Sequence, residues 1–250
     1  MKLAIPDMFP RADKTHVVRD NETETWRSDY TERTAGVPQV LLVEQLVPGS
    51  KILPHFHGID QFQVFVDGTG KLGHHAVQPV SVHYTNGYTG YGPIEAGPEG
   101  VSYYVLRPSF DTLGSQYLHV PAARARLKPG GKRFMLADAI HVHAIDTLRA
   151  LGTPSVERVI AVEPHDPEAG LFVDVVNLPP HAAYTTCDPA SGGGQVVLVL
   201  AGGIVHDGES LGVRSCIALT RDDAAATVNA SADGAQLLVM QYPKRDHAWT

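Results

Sequence analysis

Two histidines separated by a single residue, His55 and His57, are the side chains of this sequence best suited to chemistry. On a β-strand, residues i and i+2 point to the same face, so both imidazoles could reach one metal ion at about 2.1 Å. Gln61 follows and can supply a neutral amide oxygen, a weaker donor to a divalent ion than a carboxylate. The spacing of the pair therefore predicts a metal site at His55 and His57. The alternative is that both histidines face solvent on an edge strand.

A further ligand would have to come from a neighbouring strand. His83 lies in the strand-like run 80–84 and is the candidate that we favour, with Glu95 and Glu99 as alternatives. The predicted metal ligands are thus His55, His57, Gln61 and His83.

Gln63 and Tyr91 are the predicted substrate-pocket residues. Gln63 lies two positions after Gln61 on the same predicted strand, so the two side chains share a face. The side chain of Gln63 should therefore also point inward, toward a substrate or a metal ligand. The alternative is an inward polar group that a neighbouring backbone satisfies. Tyr91 is one of several tyrosines that could line an aromatic pocket, although tyrosines more often fill a β-barrel core. These tyrosines are Tyr84, Tyr88, Tyr91, Tyr103 and Tyr104.

Two other histidine pairs carry no predicted site. His141 and His143 fall in the best helical candidate, 138–151, where side chains at i and i+2 diverge by about 200°. His74 and His75 are adjacent, so on a strand they face opposite ways.

An internal repeat organises the chain. The strand-like run 61–68 begins with glutamine and ends with glycine, and the run 195–202 does the same 134 positions later. The same offset carries Gly100 onto Gly234. A repeat of this length indicates two copies of one folding unit.

The offset also predicts that the second copy binds no metal. It carries His55 and His57 onto Pro189 and Ser191, neither of which supplies an imidazole. The second copy is therefore expected to have a structural or oligomer-forming role, and a homodimer is an open expectation.

The composition favours β-structure. The sequence holds 24 Gly and 18 Pro among 250 residues, which suits many short strands joined by tight turns. Both copies show β-branched and aromatic runs between turn residues at spacings of roughly 8 to 12, typical of a sandwich or barrel. We predict an all-β protein with two domains, 1–128 and 129–250, and a short helical connector at 138–151.

The segment that runs from Gly49 through the histidine pair to Gly68 resembles the first conserved motif of the cupin superfamily. That motif is a glycine, five residues, HxH, three or four residues, a glutamate, six residues and a glycine. Every spacing fits, but Gln61 stands in the position of the glutamate, and the resemblance thereby implies Gln61 as a metal ligand. The second motif is eroded, because Gly90 or Pro98 stands where its histidine is expected. The resemblance implies two tandem jelly-roll barrels, a bicupin, of which the second is degenerate.

The resemblance implies a set of activities, since cupins include oxygenases, isomerases, lyases, decarboxylases and binding proteins. Bicupins with one surviving site resemble ring- or diketone-cleaving dioxygenases, so we predict an Fe(II)-dependent dioxygenase. The alternatives are a lyase or isomerase that uses Zn, Ni or Mn without redox chemistry, and a cupin that binds a small ligand without turnover.

Charge, the first residues of the chain and the cysteines limit the classes of partner and the cellular location that we expect. The net charge of −7, without a Lys/Arg-rich run, offers no footprint for nucleic acid or an anionic membrane, so a small-molecule substrate is expected. Pro6 and Asp7 interrupt the start where a secretory signal needs an apolar core, and we expect a cytoplasmic protein. Cys187 and Cys216 lack CxxC spacing, which favours two ordinary thiols.

Overall fold

The computed structural model describes residues 1–18, 23–128 and 133–245, and these are almost entirely β-structure. The chain forms two compact units. The first, Pro10–Ile140, is called the first barrel here, and the second barrel comprises Met1–Phe9 and the described chain from residue 141 onward. The predicted all-β class with two jelly-roll barrels is confirmed.

The elements of the first barrel are β2 Thr15–Val18, β3 Glu24–Asp29, β4 Gln39–Gln45, β5 Lys51–Ile52, β6 His55–Phe56, β7 Gln61–Leu72, β8 His75–Val77, β9 Ser81–Thr85, β10 Ile94–Arg107, β11 Gln116–Tyr117, β12 Phe134–Ala137 and helix α1 Pro121–Arg124. The main sheet has the strand order β12-β9-β7-β10-β4-β3-β2, and β5 and β8 add short pairings to it. Strands β6 and β11 form a separate pair.

The strands of the second barrel are β1 Leu3–Ile5, β13 Ser155–Ala161, β14 Phe172–Leu178, β15 Ala183–Thr185, β16 Gln195–His206, β17 Glu209–Leu211, β18 Cys216–Leu219 and β19 Thr227–Gln241. They form a sheet with the strand order β1-β18-β16-β19-β14-β13, in which β15 also pairs with β19 and β17 with β16. Helix α2, Ile145–Arg149, and a 3₁₀ turn, Pro189–Ser191, complete it.

The unit boundaries differ from the predicted division at residue 128/129. Strand β12 pairs with β9, with Leu136 opposite His83, so the first barrel extends beyond residue 128. Strand β1 pairs with β18, with Leu3 opposite Ala218, so the first residues of the chain complete the second barrel. Both differences arise from strand pairings between segments distant in sequence, which composition does not reveal.

The predicted repeat is visible in the strand register. Gly68 of β7 lies opposite Val101 of β10, and Gly202 of β16 lies opposite Ala235 of β19, at the same offset. The two glycines have nearly equal φ values of +67° and +68°. In each barrel a Cβ atom at this glycine would collide with the carbonyl oxygen of the glycine before the paired residue. Glycine is therefore required there by both conformation and space.

The predicted helix over 138–151 is wrong in its first half, because only Ile145–Arg149 is helical. Ala139 has a φ of 53°, outside the helical region. The side chain of Gln236 donates to the carbonyl of His141 and accepts from the amide of His143, both at 2.9 Å. A side chain thus replaces the helical hydrogen bonds of this segment. None of the helices in the described ranges is long and apolar enough to cross a membrane.

The interior of the first barrel follows strand alternation. Residues at every second position of β4, β7 and β10 point to one face and form a continuous apolar cluster. This cluster includes Leu41, Val43, Phe65, Tyr103 and Val105. Because the same parity applies to polar residues on these strands, the barrel interior also receives functional side chains.

Candidate active site in the first barrel

His55 and His57 are brought into the barrel by strand β6 and the turn that follows it. His55 exchanges two backbone hydrogen bonds with Tyr91, at 3.1 and 3.0 Å. Only 4% of His55 and 7% of His57 is exposed, and their ring centroids are 5.2 Å apart. The pair is therefore buried, and the solvent-facing alternative does not hold.

Both imidazoles are held in one tautomer by oxygen acceptors. His55 Nδ1 lies 2.8 Å from the carbonyl oxygen of Leu53, and His57 Nδ1 lies 2.5 Å from Asp111 Oδ2. An ionised carboxylate and a carbonyl only accept hydrogen bonds, so each Nδ1 carries the proton and each Nε2 presents a lone pair. Histidines that bind metals through Nε2 are usually oriented in this way.

Asp111, which lies beyond the end of β10, is a site residue that the sequence motif did not indicate. Burial acts to raise its pKa, but the hydrogen bond from His57 and the charge of Arg107 outweigh this effect and lower the pKa of Asp111. Burial, and then the charge of Arg107, lowers the pKa of His57 to about 4. At neutral pH the pair is thus a neutral imidazole that donates to a carboxylate.

Tyr91 lies among the predicted histidine ligands. Its hydroxyl donates to His55 Nε2 at 2.9 Å, and its ring centroid lies 4.6 Å from that of His55, 5.3 Å from His83 and 6.5 Å from His57. Burial raises the pKa of Tyr91 to about 12, against the opposing charge of Arg107. Tyr91 is therefore a neutral phenol at neutral pH, and it holds a proton beside His55.

The side-chain oxygen of Gln61, which was predicted to bind a metal ion, is bonded to Arg107. Its Oε1 accepts from Arg107 Nε at 3.1 Å and from Arg107 Nη2 at 2.9 Å. Arg107 Nη1 also donates to Gln39 Oε1 at 2.6 Å. The oxygen expected to bind a cation is thus bonded to one already, so we leave Gln61 out of the ligand set.

His83 is buried beside Tyr91 but does not complete a three-ligand group. Its Nδ1 lies 2.8 Å from Gln63 Oε1, while its Nε2 has no hydrogen-bond partner among the described residues. Burial lowers the pKa of His83 to about 3. In the described chain no three His, Cys, Asp or Glu residues are arranged to hold one ion. The alternative ligand Glu95 instead forms an ion pair with Lys51 at 3.0 Å.

A cavity of about 160 Å³ opens beside these residues inside the first barrel. Gln63 and Tyr91, the predicted pocket residues, both line it, together with the histidine pair. An engineered cavity of about 150 Å³ accommodates benzene in another protein, so the space suits a small molecule. Other polar lining residues are Arg27, Asp29, Arg33, Gln39, Arg107, Asp111 and Ser115.

The second barrel has a different group at the equivalent place. Pro189 and Ser191, which replace the histidine pair, lie in the 3₁₀ turn. Gln195, the counterpart of Gln61, donates through Nε2 to Gln241 Oε1 at 2.7 Å. Gln241 is the counterpart of Arg107, so a neutral amide pair stands where the first barrel has a glutamine and an arginine.

No protein-family model matches the sequence, and no curated protein matches it significantly. Solved structures do match. A candidate dioxygenase from Nostoc punctiforme superposes with a TM-score of 0.62 at 12% identity, over 99% of this chain and 81% of that one. Bacillus subtilis oxalate decarboxylase, a protein with Mn(II) centres, gives a TM-score of 0.54 at 11% identity, over 99% and 78%. A cupin 2 conserved barrel domain protein from Leptotrichia buccalis gives 0.50 at 11% identity, over 90% and 92%.

These similarities establish the class of fold. Together with the two antiparallel barrels and the repeated glycine geometry, they show that the chain has the two-barrel cupin fold, which is the fold that the sequence motif implied. At such low identity the likeness concerns the fold, and the activity has to be argued from the site.

Proposed function

We propose that this protein is a metal-dependent cupin enzyme that acts on a small organic molecule in the first barrel. The observation that carries the proposal is the orientation of His55 and His57, whose Nδ1 atoms are both held by oxygen acceptors. Their Nε2 atoms therefore carry the lone pairs that could bind an ion. The fold is shared with a protein that has Mn(II) centres, which is consistent with such a site.

The donor set fits a first-row transition metal. Two neutral imidazoles suit Fe, Ni, Zn and Mn, and a site with few protein ligands leaves positions for substrate or water. To bind the ion, His55 Nε2 would have to give up the hydrogen bond that it accepts from Tyr91. Metal affinity should therefore be modest.

An Fe(II)-dependent dioxygenase is the specific form of this proposal. When bound, the ion supplies Lewis acidity toward a carbonyl or enol oxygen and, as iron(II), the electrons for dioxygen chemistry. The remaining tasks belong to the chain itself. Tyr91 Oη holds a proton that it can donate to a substrate oxygen. Asp111 fixes the tautomer of His57. Gln63 can form a hydrogen bond to the substrate from the cavity wall.

Elemental analysis after purification without added metal tests the site. The wild type should carry close to one divalent ion per chain, and His55→Ala combined with His57→Ala should abolish it. The matched control is His141→Ala with His143→Ala, a pair of the same spacing outside the first barrel, which should leave metal content unchanged. Full metal occupancy in the folded His55/His57 variant would refute the site.

The nature of the ion then separates the activities. Iron, followed by oxygen uptake with diketones or catechols, would support a dioxygenase, whereas zinc, nickel or manganese without oxygen uptake would indicate a lyase or isomerase. A protein without metal would favour the second candidate, a cupin that binds a small ligand. The Tyr91 hydrogen bond to His55 Nε2 favours that candidate, because it satisfies the histidine without an ion.

A further inference from the structure

The backbone places Tyr91 directly against His55. The two residues face each other across an isolated antiparallel bridge, whose two hydrogen bonds are 3.1 and 3.0 Å long. Side chains directly opposite one another in antiparallel strands lie on the same face. The phenol and the imidazole therefore point the same way, and both line the cavity of the first barrel. Their contact is a consequence of the pairing of the two segments.

The Tyr91 hydroxyl lies where an ion bound to His55 would lie. It donates to His55 Nε2 at 2.9 Å, and this nitrogen carries the lone pair that the proposed function gives to a metal. A ligand nitrogen and a transition metal approach to about 2.1 Å along the same lone-pair direction. The hydroxyl and an ion therefore cannot use His55 Nε2 at the same time, so they compete for it.

The second barrel lacks both members of this contact. The offset of 134 carries His55 onto Pro189 and Tyr91 onto Ala225. The two barrels share their central strand pairing, so the fold forms without a phenol at this position. Tyrosine thus accompanies the histidine pair, which points to a role at the histidines rather than in building the barrel.

We propose that Tyr91 is a displaceable occupant of the metal position. Without metal, its hydroxyl satisfies the buried Nε2 of His55, and an ion that binds His55 displaces this hydroxyl toward the adjoining cavity of about 160 Å³. The displaced hydroxyl then faces the space in which a substrate would lie. Metal binding therefore both costs a hydrogen bond and frees a proton donor for the substrate. This inference deepens the proposed function and rests on it.

Tyr91→Phe tests the competition, because it keeps the ring and removes only the hydroxyl. Chelator-treated protein is titrated with Ni(II) and with Zn(II) by calorimetry, and the binding that remains in His55→Ala with His57→Ala is subtracted. Tyr91→Phe should bind metal roughly threefold or more tightly than the wild type, since no hydrogen bond has to be broken. Damage to the fold would weaken binding, so a gain in affinity is specific to the proposed role.

Tyr103→Phe is the matched control. Tyr103 is buried and lines the same cavity, but its hydroxyl donates to Gln45 Oε1 at 3.5 Å. Its loss should leave metal affinity unchanged. A second measurement follows the displacement itself by ultraviolet difference spectroscopy of tyrosine during metal addition. The wild type and Tyr103→Phe should show a tyrosine difference signal, and Tyr91→Phe should lack it.

The outcomes separate this inference from the proposed function. If Tyr91→Phe binds metal no more tightly than the wild type, or if the wild type binds metal without a tyrosine signal, the displacement is overturned while the metal site stands. Binding by Tyr91→Phe alone would support the displacement and show that the hydroxyl keeps the wild-type site closed. If neither protein binds metal at the histidine pair, the displacement and the metal-dependent function both fail.

Discussion

At the scale of single residues, the three buried histidines of the first barrel differ in what their Nε2 atoms meet. His55 Nε2 accepts a hydrogen bond from the hydroxyl of Tyr91, whereas His83 Nε2 has no hydrogen-bond partner within the described part of the chain. His57 lines the cavity and has its other nitrogen fixed by Asp111. The chemistry available to the site therefore depends on which nitrogen of each ring is already bonded.

Gln61→Glu should leave metal affinity unchanged within about twofold, because the new carboxylate would pair with Arg107 rather than reach the ion. Calorimetric titration with a divalent metal measures the affinity. Gln63→Glu is the matched control, since it places the charge on the cavity wall and should tighten metal binding. A clear gain in metal affinity for Gln61→Glu would return residue 61 to the ligand set.

The buried histidines should make the protein sensitive to acid. The folded-state pKa is about 4 for His57 and about 3 for His83, below the usual value of 6.5. Below pH 6.5 the unfolded chain takes up protons that the folded chain does not, so stability present at pH 7 declines as pH falls toward 4. Each site contributes a slope of up to about 1.4 kcal/mol per pH unit.

Urea unfolding at several pH values between 4.5 and 7.5 checks this expectation. His83→Gln should flatten the dependence of the unfolding free energy on pH, whereas His141→Gln, at an exposed position, should not alter it. An equal slope in wild type and His83→Gln would show that His83 does not contribute.

The sequence predicted the inward direction of Gln63 because strand parity fixes the side on which a residue lies. It could not predict the orientation of Gln61, because that depends on Arg107, 46 positions later and outside any motif. Asp111 was missed for a similar reason. It lies in an irregular segment, and its role appears only when the fold brings it 2.5 Å from His57.

At the scale of elements, paired glycines set the geometry of both barrels. Gly68 packs against the carbonyl of Gly100, and Gly202 packs against that of Gly234, both with positive φ. The spacing of these glycines in the sequence is imposed by strand pairing, so the repeat and its register could be predicted. The absence of helix over 138–144 could not be predicted, because apolar spacing does not reveal that the side chain of Gln236 binds the backbone there.

Gly68→Ala and Gly202→Ala should each lower the free energy of unfolding by roughly 2 kcal/mol or more, since left-handed strain adds to a collision with backbone. Gly36→Ala is the control. Gly36 has a φ of +84° but open space around its Cβ position, so it should show the strain alone. Denaturant unfolding measures the difference. Equal losses for Gly36→Ala and Gly68→Ala would show that the close approach contributes little.

At the scale of the whole molecule, the two barrels share a fold and differ in their polar interiors. The cavity of the first barrel is lined by charged side chains, among them Arg107 and Asp111. The equivalent place in the second barrel holds neutral amides. This contrast is not visible in the overall composition, and it supports the proposal that the chemistry takes place in the first barrel.

Deletion of residues 1–9 should destabilise the second barrel and leave metal content at the first barrel unchanged. Met8 is fully buried against Cys216, and β1 covers the edge of β18. Hydrogen exchange should accelerate in β18 and the neighbouring β16, while β7 and β10 keep their protection. Faster exchange in the first barrel to the same extent would contradict the assignment of these residues to the second barrel.

Strand β1 also imposes an order on biosynthesis. Its partner β18 is translated after all the strands of the first barrel, so β1 emerges from the ribosome long before it can pair. The first barrel, whose strands lie in one continuous segment, can close during translation. The second barrel can close only after β18 and β19 have been made. Its Met8, fully buried in the folded protein, therefore stays without its final contacts until then.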